Sequence, residues 1–243
     1  MDRQGAIWAA SYAYLAYLLI GDLPFARPLW VFSTDVASLL FIVLYFVHSF
    51  FHMGVKKASV YFVIAAVISY FFELGSVLSG IWGRYEYTGA LGPSLGPIPI
   101  FIPFLWASLG YFCIIAAGRV AVSAVLMMLL DVSFDPRFAT YLWHWTPPGI
   151  YFGVPLQNFL GWFVTSAVLF GAYRYASGGL PAPSLRALLF YYLFGAVNVA
   201  TDFAYGLVAA GMVSLALFSL ACGAIYLLYL RADHGTVVPP WVD

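Results

Sequence analysis

Long apolar runs recur along the chain, separated by short polar or Gly/Pro-containing stretches. A membrane-spanning helix needs about 20 mostly apolar residues. Eight runs meet or approach this length, covering residues 5–21, 29–51, 58–78, 98–117, 119–134, 155–175, 185–209 and 212–230. We therefore predict an all-α integral membrane protein, with about eight transmembrane helices in one polytopic domain, residues 1–243. The first and fifth runs are short, so a seven-helix bundle stays open.

Composition agrees with a membrane location. Of 243 residues, 64% are hydrophobic and 8% are charged, whereas a soluble domain carries about 25% charged residues. The net charge is zero, which gives no argument for a nucleic-acid partner. The first apolar run ends in Gly-Asp-Leu-Pro rather than in a small-residue cleavage site, so we expect a retained helix and not a signal peptide.

The positive residues predict an orientation, because cytoplasmic loops carry an excess of Lys and Arg. A cytoplasmic N-terminus places seven positive residues inside and three outside. The inner set is Arg3, Lys56, Lys57, Arg119, Arg174, Arg186 and Arg231, and the outer set is Arg27, Arg84 and Arg137. With seven helices the loops would change sides and this excess of inner positive residues would be lost. We therefore expect eight helices, with both termini in the cytoplasm.

Two connectors, residues 79–97 and 131–154, then fall on the same outer side. Both are long and aromatic rather than hydrophilic. Irregular backbone at membrane depth is tolerated only where protein or a wet cavity covers it. We expect both connectors to fold back as re-entrant or capping segments over the outer end of the bundle.

Acidic residues share this outer level. Intramembrane ionisable side chains are costly and usually face an interior site, so their clustering predicts one polar pocket. Helical spacing supports a polar pocket, because in each of three spans polar residues recur three or four positions apart and so lie on one helix face. The acids are Asp35, Glu73, Asp131, Asp135 and Asp202, and the polar faces are Ser69-Glu73-Ser76, Asn158-Trp162-Thr165 and Asn198-Asp202-Tyr205.

Simpler explanations exist for several of these residues. Ser, Thr and Asn side chains serve as interhelical hydrogen-bonding groups in membranes. Arg84 and Glu86 could form an ion pair that braces a loop. Asp135 could cap a helix that begins with Pro136, which would leave Asp131 as the freer acid.

Histidine and cysteine give little evidence for a metal. His48 and His52 are spaced as a helical pair, but they lie at the inner end, and the chain has four histidines in total. Cys113 and Cys222 fall inside apolar runs and are expected to pack there. His144, in WHW, is on the outer side, where it could carry protons or simply pack.

Three stretches combine Gly, Pro, aromatic and polar residues in a specific order: FELGSVLSGIWGRYEYTGALGPSLGPIPIFIPFLW, LLDVSFDPRFATYLWHW and GIYFGVPLQNFLGWFVTS. These stretches, roughly residues 70–170, resemble the CruF-like family of membrane carotenoid hydratases. The flanking spans are similar only in hydropathy. One departure from the family pattern, LGPIP at 95–99, concerns the geometry of a connector and not the acids.

The resemblance implies addition of water to the terminal carbon–carbon double bond of an acyclic carotenoid end group, which gives a tertiary alcohol. Substrates of the family are the C50 carotenoid bisanhydrobacterioruberin in archaea and lycopene or γ-carotene ends in bacteria. The implied partners are therefore a carotenoid, water and the lipid of a prokaryotic cell membrane. The reaction requires no metal and no redox cofactor.

The residue roles are our own expectations. Hydration needs a carboxylic acid kept protonated by burial and a second carboxylate or His that orients and deprotonates water. We expect Asp131 or Glu73 as the acid, with Asp202 orienting water and Asp135 as a further candidate. Glu86 is expected to be ionised and paired with Arg84. The expected substrate-binding residues are Arg84, Tyr85, Tyr87, Trp106, Trp143, His144, Trp145, Tyr151, Asn158, Trp162 and Asn198.

Other functions compete with hydration. A carotenoid cyclase or isomerase would use the same protonation but would add no water. A retinal-type photoreceptor is disfavoured, because Lys56 and Lys57 both lie in a loop. A membrane transporter or a non-enzymatic binding protein also stays open.

Overall fold

Eight α-helices form most of the chain in the computed structural model, which describes residues 3–233. Each predicted apolar run corresponds to one helix, so the prediction of an eight-helix bundle is confirmed for this part of the chain. The helices are Arg3–Gly21 (α1), Thr34–Met53 (α2), Val55–Ser79 (α3), Phe101–Ala117 (α4), Val120–Phe138 (α5), Leu156–Ser177 (α6), Leu185–Ala204 (α7) and Val208–Asp233 (α8).

The surface of the bundle fits a lipid environment. Helices α2, α3, α7 and α8 are long and apolar enough to cross a membrane, and α4 is a shorter apolar helix. Large apolar side chains such as Val43, Phe71 and Leu220 are exposed on these helices, which suits contact with lipid rather than with water. The chain is an all-α membrane protein, as predicted.

Helix α4 lies at the centre of the bundle. Every residue from Trp106 to Ala117 is buried, and α4 contacts α2, α3, α5 and α7. A helix that is apolar on all sides is expected in such a position. Aromatic rings fill the space around it, with the ring centroid of Phe112 lying 5.5 Å from that of Phe41 and 4.5 Å from that of Phe190.

The two predicted outer connectors meet at one end of the bundle. Strand β1 (Tyr85–Tyr87) pairs antiparallel with a later strand, Trp143–Trp145, and a short hairpin of Ser94–Leu95 (β2) and Ile98–Pro99 (β3) lies between them in sequence. We number the Trp143–Trp145 strand β4 and call the β1–β4 pair the outer ribbon. The expectation that both connectors cap the same end is confirmed.

A glycine lets the outer ribbon pack against the start of α6. Gly83 has φ of +108°, and a Cβ atom there would lie 2.9 Å from ring atoms of both Pro155 and Trp145. A larger side chain would therefore strain the backbone and displace these rings.

Several boundaries differ from prediction. Helix α2 begins at Thr34, five residues later than predicted, because Ser33 caps it by accepting a hydrogen bond from the Val36 N–H. Asp35 therefore lies in the first turn of α2, is exposed, and does not line the large cavity described below, so it does not join the predicted polar pocket. The inside–outside orientation remains a prediction, and the side chain of Arg231, one of its positive residues, lies outside the described residues.

Candidate active site

Strand alternation sorts the residues of the outer ribbon into two sets. Successive side chains in a strand point to opposite faces, and the register pairs Tyr85 with Trp145, Glu86 with His144 and Tyr87 with Trp143. The four aromatic residues line a large cavity in the bundle. Glu86 and His144 lie on the other face and are exposed.

The expected roles of Arg84, Glu86 and His144 are therefore corrected. Arg84 is also exposed, and none of these three residues lines the cavity. No ion pair joins Arg84 to Glu86 within residues 3–233, so the predicted brace is not formed either. Only the first and third residues of the tripeptides YEY and WHW line the cavity.

Glu73, on α3, is held at the cavity wall by three donors. Its Oε2 atom accepts hydrogen bonds from the hydroxyls of Tyr85 and Tyr87, the latter at 2.9 Å, and its Oε1 accepts from the Trp106 indole N–H at 2.8 Å. Burial raises the pKa of Tyr85 and Tyr87 well above that of an ordinary phenol, and the nearby Glu73 carboxyl raises it further. Both tyrosines therefore remain hydrogen-bond donors.

Asp131 and Asp135 form a second group of acids on α5, one turn apart on the same face. The side-chain amide of Asn158, on α6, donates to Asp131 Oδ2 and to Asp135 Oδ2, each at 2.7 Å. Asp135 Oδ1 also accepts from the indole N–H groups of Trp143 at 2.7 Å and Trp145 at 3.1 Å. Both aspartates are 1% exposed and line the cavity.

The Asp135-Pro136 pair does not begin a helix. Helix α5 continues through Pro136 to Phe138, so the alternative reading of Asp135 as an N-cap is wrong. Proline has no N–H to bond the carbonyl of the residue four positions earlier, Val132. The Tyr151 hydroxyl donates to that carbonyl at 3.3 Å, which explains how the helix tolerates the proline. Tyr151 thus supports α5 and does not line the cavity.

Arg137 is a site residue that the sequence analysis missed, because it was assigned to an outer loop. Its guanidinium donates to Asp202 Oδ1 at 2.8 Å and to Asn198 Oδ1 at 2.9 Å. Arg137 and Asn198 line the cavity. Asp202 is 0% exposed and lies beneath them, with Ser133 as a further partner at 3.4 Å. The expectation that Asp202 faces the substrate pocket is wrong, because this ion pair occupies its carboxylate.

The cavity has a volume of about 240 Å³, and its wall includes Glu73, the Asp131–Asp135 pair and the Arg137–Asn198 pair. Fifteen of its 34 lining residues are aromatic, and they include Trp106 and Trp162, whose indoles stack with ring centroids 4.2 Å apart. Arg27 and Tyr205, both exposed, lie at its edge. The arrangement offers carboxyl groups and indole faces to an apolar ligand, with a polar rim.

His48 and His52, the predicted helical pair, lie away from the cavity. His48 is buried, its Nδ1 atom lies 2.7 Å from the Tyr111 hydroxyl, and its ring centroid is 5.8 Å from that of His52. Neither histidine lines the cavity. Within residues 3–233, no group of three or more His, Cys, Asp and Glu side chains is arranged to hold a metal ion.

The fold and this site define an integral membrane protein with an acid-containing, aromatic-lined cavity. Residues 33–226 match the carotenoid biosynthesis protein family, and the chain therefore belongs to that family. This confirms the family resemblance found in the sequence. A curated relative, the bisanhydrobacterioruberin hydratase of Haloarcula japonica, is 30% identical over 128 residues, which cover 46% of this chain and 43% of the relative. No solved structure matches the chain.

Proposed function

We propose that this protein adds water to the terminal carbon–carbon double bond of an acyclic carotenoid end group and forms a tertiary alcohol. Membership of the carotenoid biosynthesis family supports a carotenoid substrate, and the name of the Haloarcula relative supports hydration. The observation that carries the proposal is the convergence of Glu73, Asp131 and Asp135 on one aromatic-lined cavity.

The hydrogen bonds assign different roles to the three acids. Hydrogen bonds donated to a carboxyl group favour its ionised form. Glu73 and Asp135 each accept three such bonds, whereas Asp131 accepts one within the described residues. Asp131 is therefore the proposed proton donor. Asn158 holds it beside Asp135, and because two neighbouring carboxylates would repel each other, this placement favours a protonated Asp131.

Protonation of the less substituted alkene carbon by Asp131 leaves a tertiary carbocation. Aromatic ring faces attract a cation, and the stacked indoles of Trp106 and Trp162 and the ribbon residues Trp143 and Trp145 supply such faces. These walls stabilise the cation and keep bulk water away from it.

Water then completes the reaction. Its oxygen bonds to the tertiary carbon, and one of its protons passes to a carboxylate, for which Glu73 is the proposed acceptor. The net change is addition of one water with no change of redox state, so the chemistry needs no redox cofactor.

Arg137, Asn198 and Asp202 form a third polar group in this proposal, in which the charges of Arg137 and Asp202 neutralise each other. The ion pair fixes the Asn198 amide at the cavity wall, where Arg137 Nη2 donates to its Oδ1. We assign Asp202 a positioning role rather than the water-orienting role expected from the sequence.

The reaction is proposed to occur at the outer end of a protein of the prokaryotic cell membrane, with both termini cytoplasmic. Burial of Arg137 strengthens the charge bias, because it removes one of the three outer positive residues from the loop count. Arg27 and Arg84 remain as the outer positive residues.

Expression in lycopene-producing cells tests the proposal. Mass analysis of the pigments should show a gain of one water per reacted end with the wild-type chain and no gain with Asp131→Asn. A new pigment of unchanged mass would favour cyclisation or isomerisation instead. Unchanged lycopene, with binding of a polar solute by the purified protein, would favour a transporter.

A further inference from the structure

A second cavity, of about 20 Å³, adjoins the large one between α3 and α6. The two cavities share five lining residues, Glu73, Tyr85, Trp106, Asn158 and Trp162. The two cavities therefore meet at these five residues. The small cavity is completed by residues that do not reach the large one, including Ser76, Trp82 and Thr165.

The size and lining of the small cavity suit one water molecule. A cavity of this measured volume is large enough for a water, which needs two to four polar partners. Glu73, Ser76, Asn158 and Thr165 supply carboxylate, hydroxyl and amide groups from two helices.

Thr165 gives an independent indication of a ligand. Its side chain lines the small cavity, the residue is 3% exposed, and its hydroxyl has no hydrogen-bond partner within residues 3–233. An unpaired hydroxyl of a buried residue that is open to a cavity offers a hydrogen bond to a small polar molecule there. A water in the small cavity would pair with it and with the Glu73 carboxylate together.

We propose that the small cavity is the water-binding subsite of the enzyme, a proposal that rests on the proposed function. Thr165 and Ser76 hold one water against Glu73, at the wall of the chamber in which the cation forms. When Asp131 has protonated the alkene, this water forms the new carbon–oxygen bond, and the proton that it loses passes to Glu73. A proton then returns from Glu73 to Asp131 through water, so all atoms and charges balance.

The proposal separates water delivery from protonation, and an exchange experiment measures both. Purified protein in lipid vesicles is incubated with lycopene in deuterium oxide. Formation of alcohol reports capture of the cation by water. Deuterium gained by the unhydrated carotenoid reports protonation followed by loss of a proton from the cation.

Thr165→Val removes the hydroxyl and nearly preserves the volume of the side chain. We expect about a tenfold fall in the ratio of alcohol to deuterium exchange, the effect of one lost hydrogen bond to the water. Thr165→Ser should restore the wild-type ratio to within about twofold. The matched control is Ser166→Ala, because the Ser166 hydroxyl is buried and unpaired but Ser166 lines neither cavity.

An unchanged ratio in Thr165→Val would overturn the proposal. If thermal unfolding shows that this variant is destabilised, Ser76→Ala decides in the same assay, with a lowered ratio expected and an unchanged ratio contradicting the water subsite. Failure of the proposed function looks different, because the wild-type protein would then form no alcohol at all.

Discussion

The Arg137–Asp202 ion pair gives a stability prediction that does not depend on the reaction. The two side chains are 7% and 0% exposed, and their charged atoms are 2.8 Å apart. Arg137→Met leaves the Asp202 carboxylate buried, with Ser133 at 3.4 Å as its remaining side-chain partner. Breaking a buried pair from one side costs about 3–5 kcal/mol.

The second substitution in the pair should recover much of this loss. Replacing both members of a buried ion pair with apolar residues is often neutral or stabilising, so Arg137→Met combined with Asp202→Leu should be more stable than Arg137→Met alone. The coupling between the two positions follows from a double-mutant cycle.

Thermal unfolding of the purified protein in detergent measures the cycle. For a chain of this size, a loss of about 3–5 kcal/mol lowers the melting temperature by roughly 6–20 °C. Arg174→Met is the matched control, because Arg174 is exposed in the last turn of α6 and its removal should cost at most about 1 kcal/mol. Equal melting temperatures for Arg137→Met and Arg174→Met would refute the buried pair.

Three further predictions concern the site and its supports. Tyr87→Phe removes one of three hydrogen bonds to Glu73, and turnover of lycopene should fall about tenfold; wild-type turnover would contradict this role. Glu86→Gln should keep lycopene turnover within about twofold of wild type, because the Glu86 side chain is exposed on the face of the outer ribbon that points away from the cavity. A tenfold loss of turnover would show that Glu86 acts in the site. Gly161→Ala places a Cβ atom 2.7 Å from the Trp82 ring and should cost about 1–3 kcal/mol in thermal unfolding, whereas unchanged stability would show that the ring moves freely.

The helices could be predicted from the sequence because lipid imposes one simple rule on them. A span must be apolar for about 20 residues, and each of the predicted runs became a helix. Boundaries were less accurate where local groups decide them. Ser33 delays the start of α2, and α7 ends at Ala204, before the turn that contains Gly206 with φ of +80°.

The outer ribbon shows which signal was missed. The sequence predicts its two segments as capping connectors but does not predict that they pair as strands. All residues of YEY and WHW were therefore expected in the pocket, although alternate residues point to opposite faces. A period of two in YEY and WHW separates Tyr85 and Tyr87 from Glu86. The partner strand lies more than fifty residues away along the chain, and no local pattern specifies that pairing.

Arg137 could not be placed correctly from the sequence, because the fifth apolar run ends at residue 134 and leaves Arg137 in the outer connector. Proline usually ends a helix because it leaves a carbonyl unpaired. Here the Tyr151 hydroxyl, from the segment between β4 and α6, satisfies that carbonyl, so α5 continues and carries Arg137 into the bundle. This compensation is tertiary, and a single sequence does not display it.

Isotope incorporation tests the central claim most directly. Purified protein would be given lycopene in deuterium oxide whose oxygen is oxygen-18, with Asp131→Asn in parallel. The account predicts an alcohol from the wild-type protein with one heavy oxygen on the tertiary carbon and one deuterium on the adjacent carbon, and no alcohol from the variant. A product without heavy oxygen, or equal yields of labelled alcohol from both proteins, would contradict hydration initiated by Asp131.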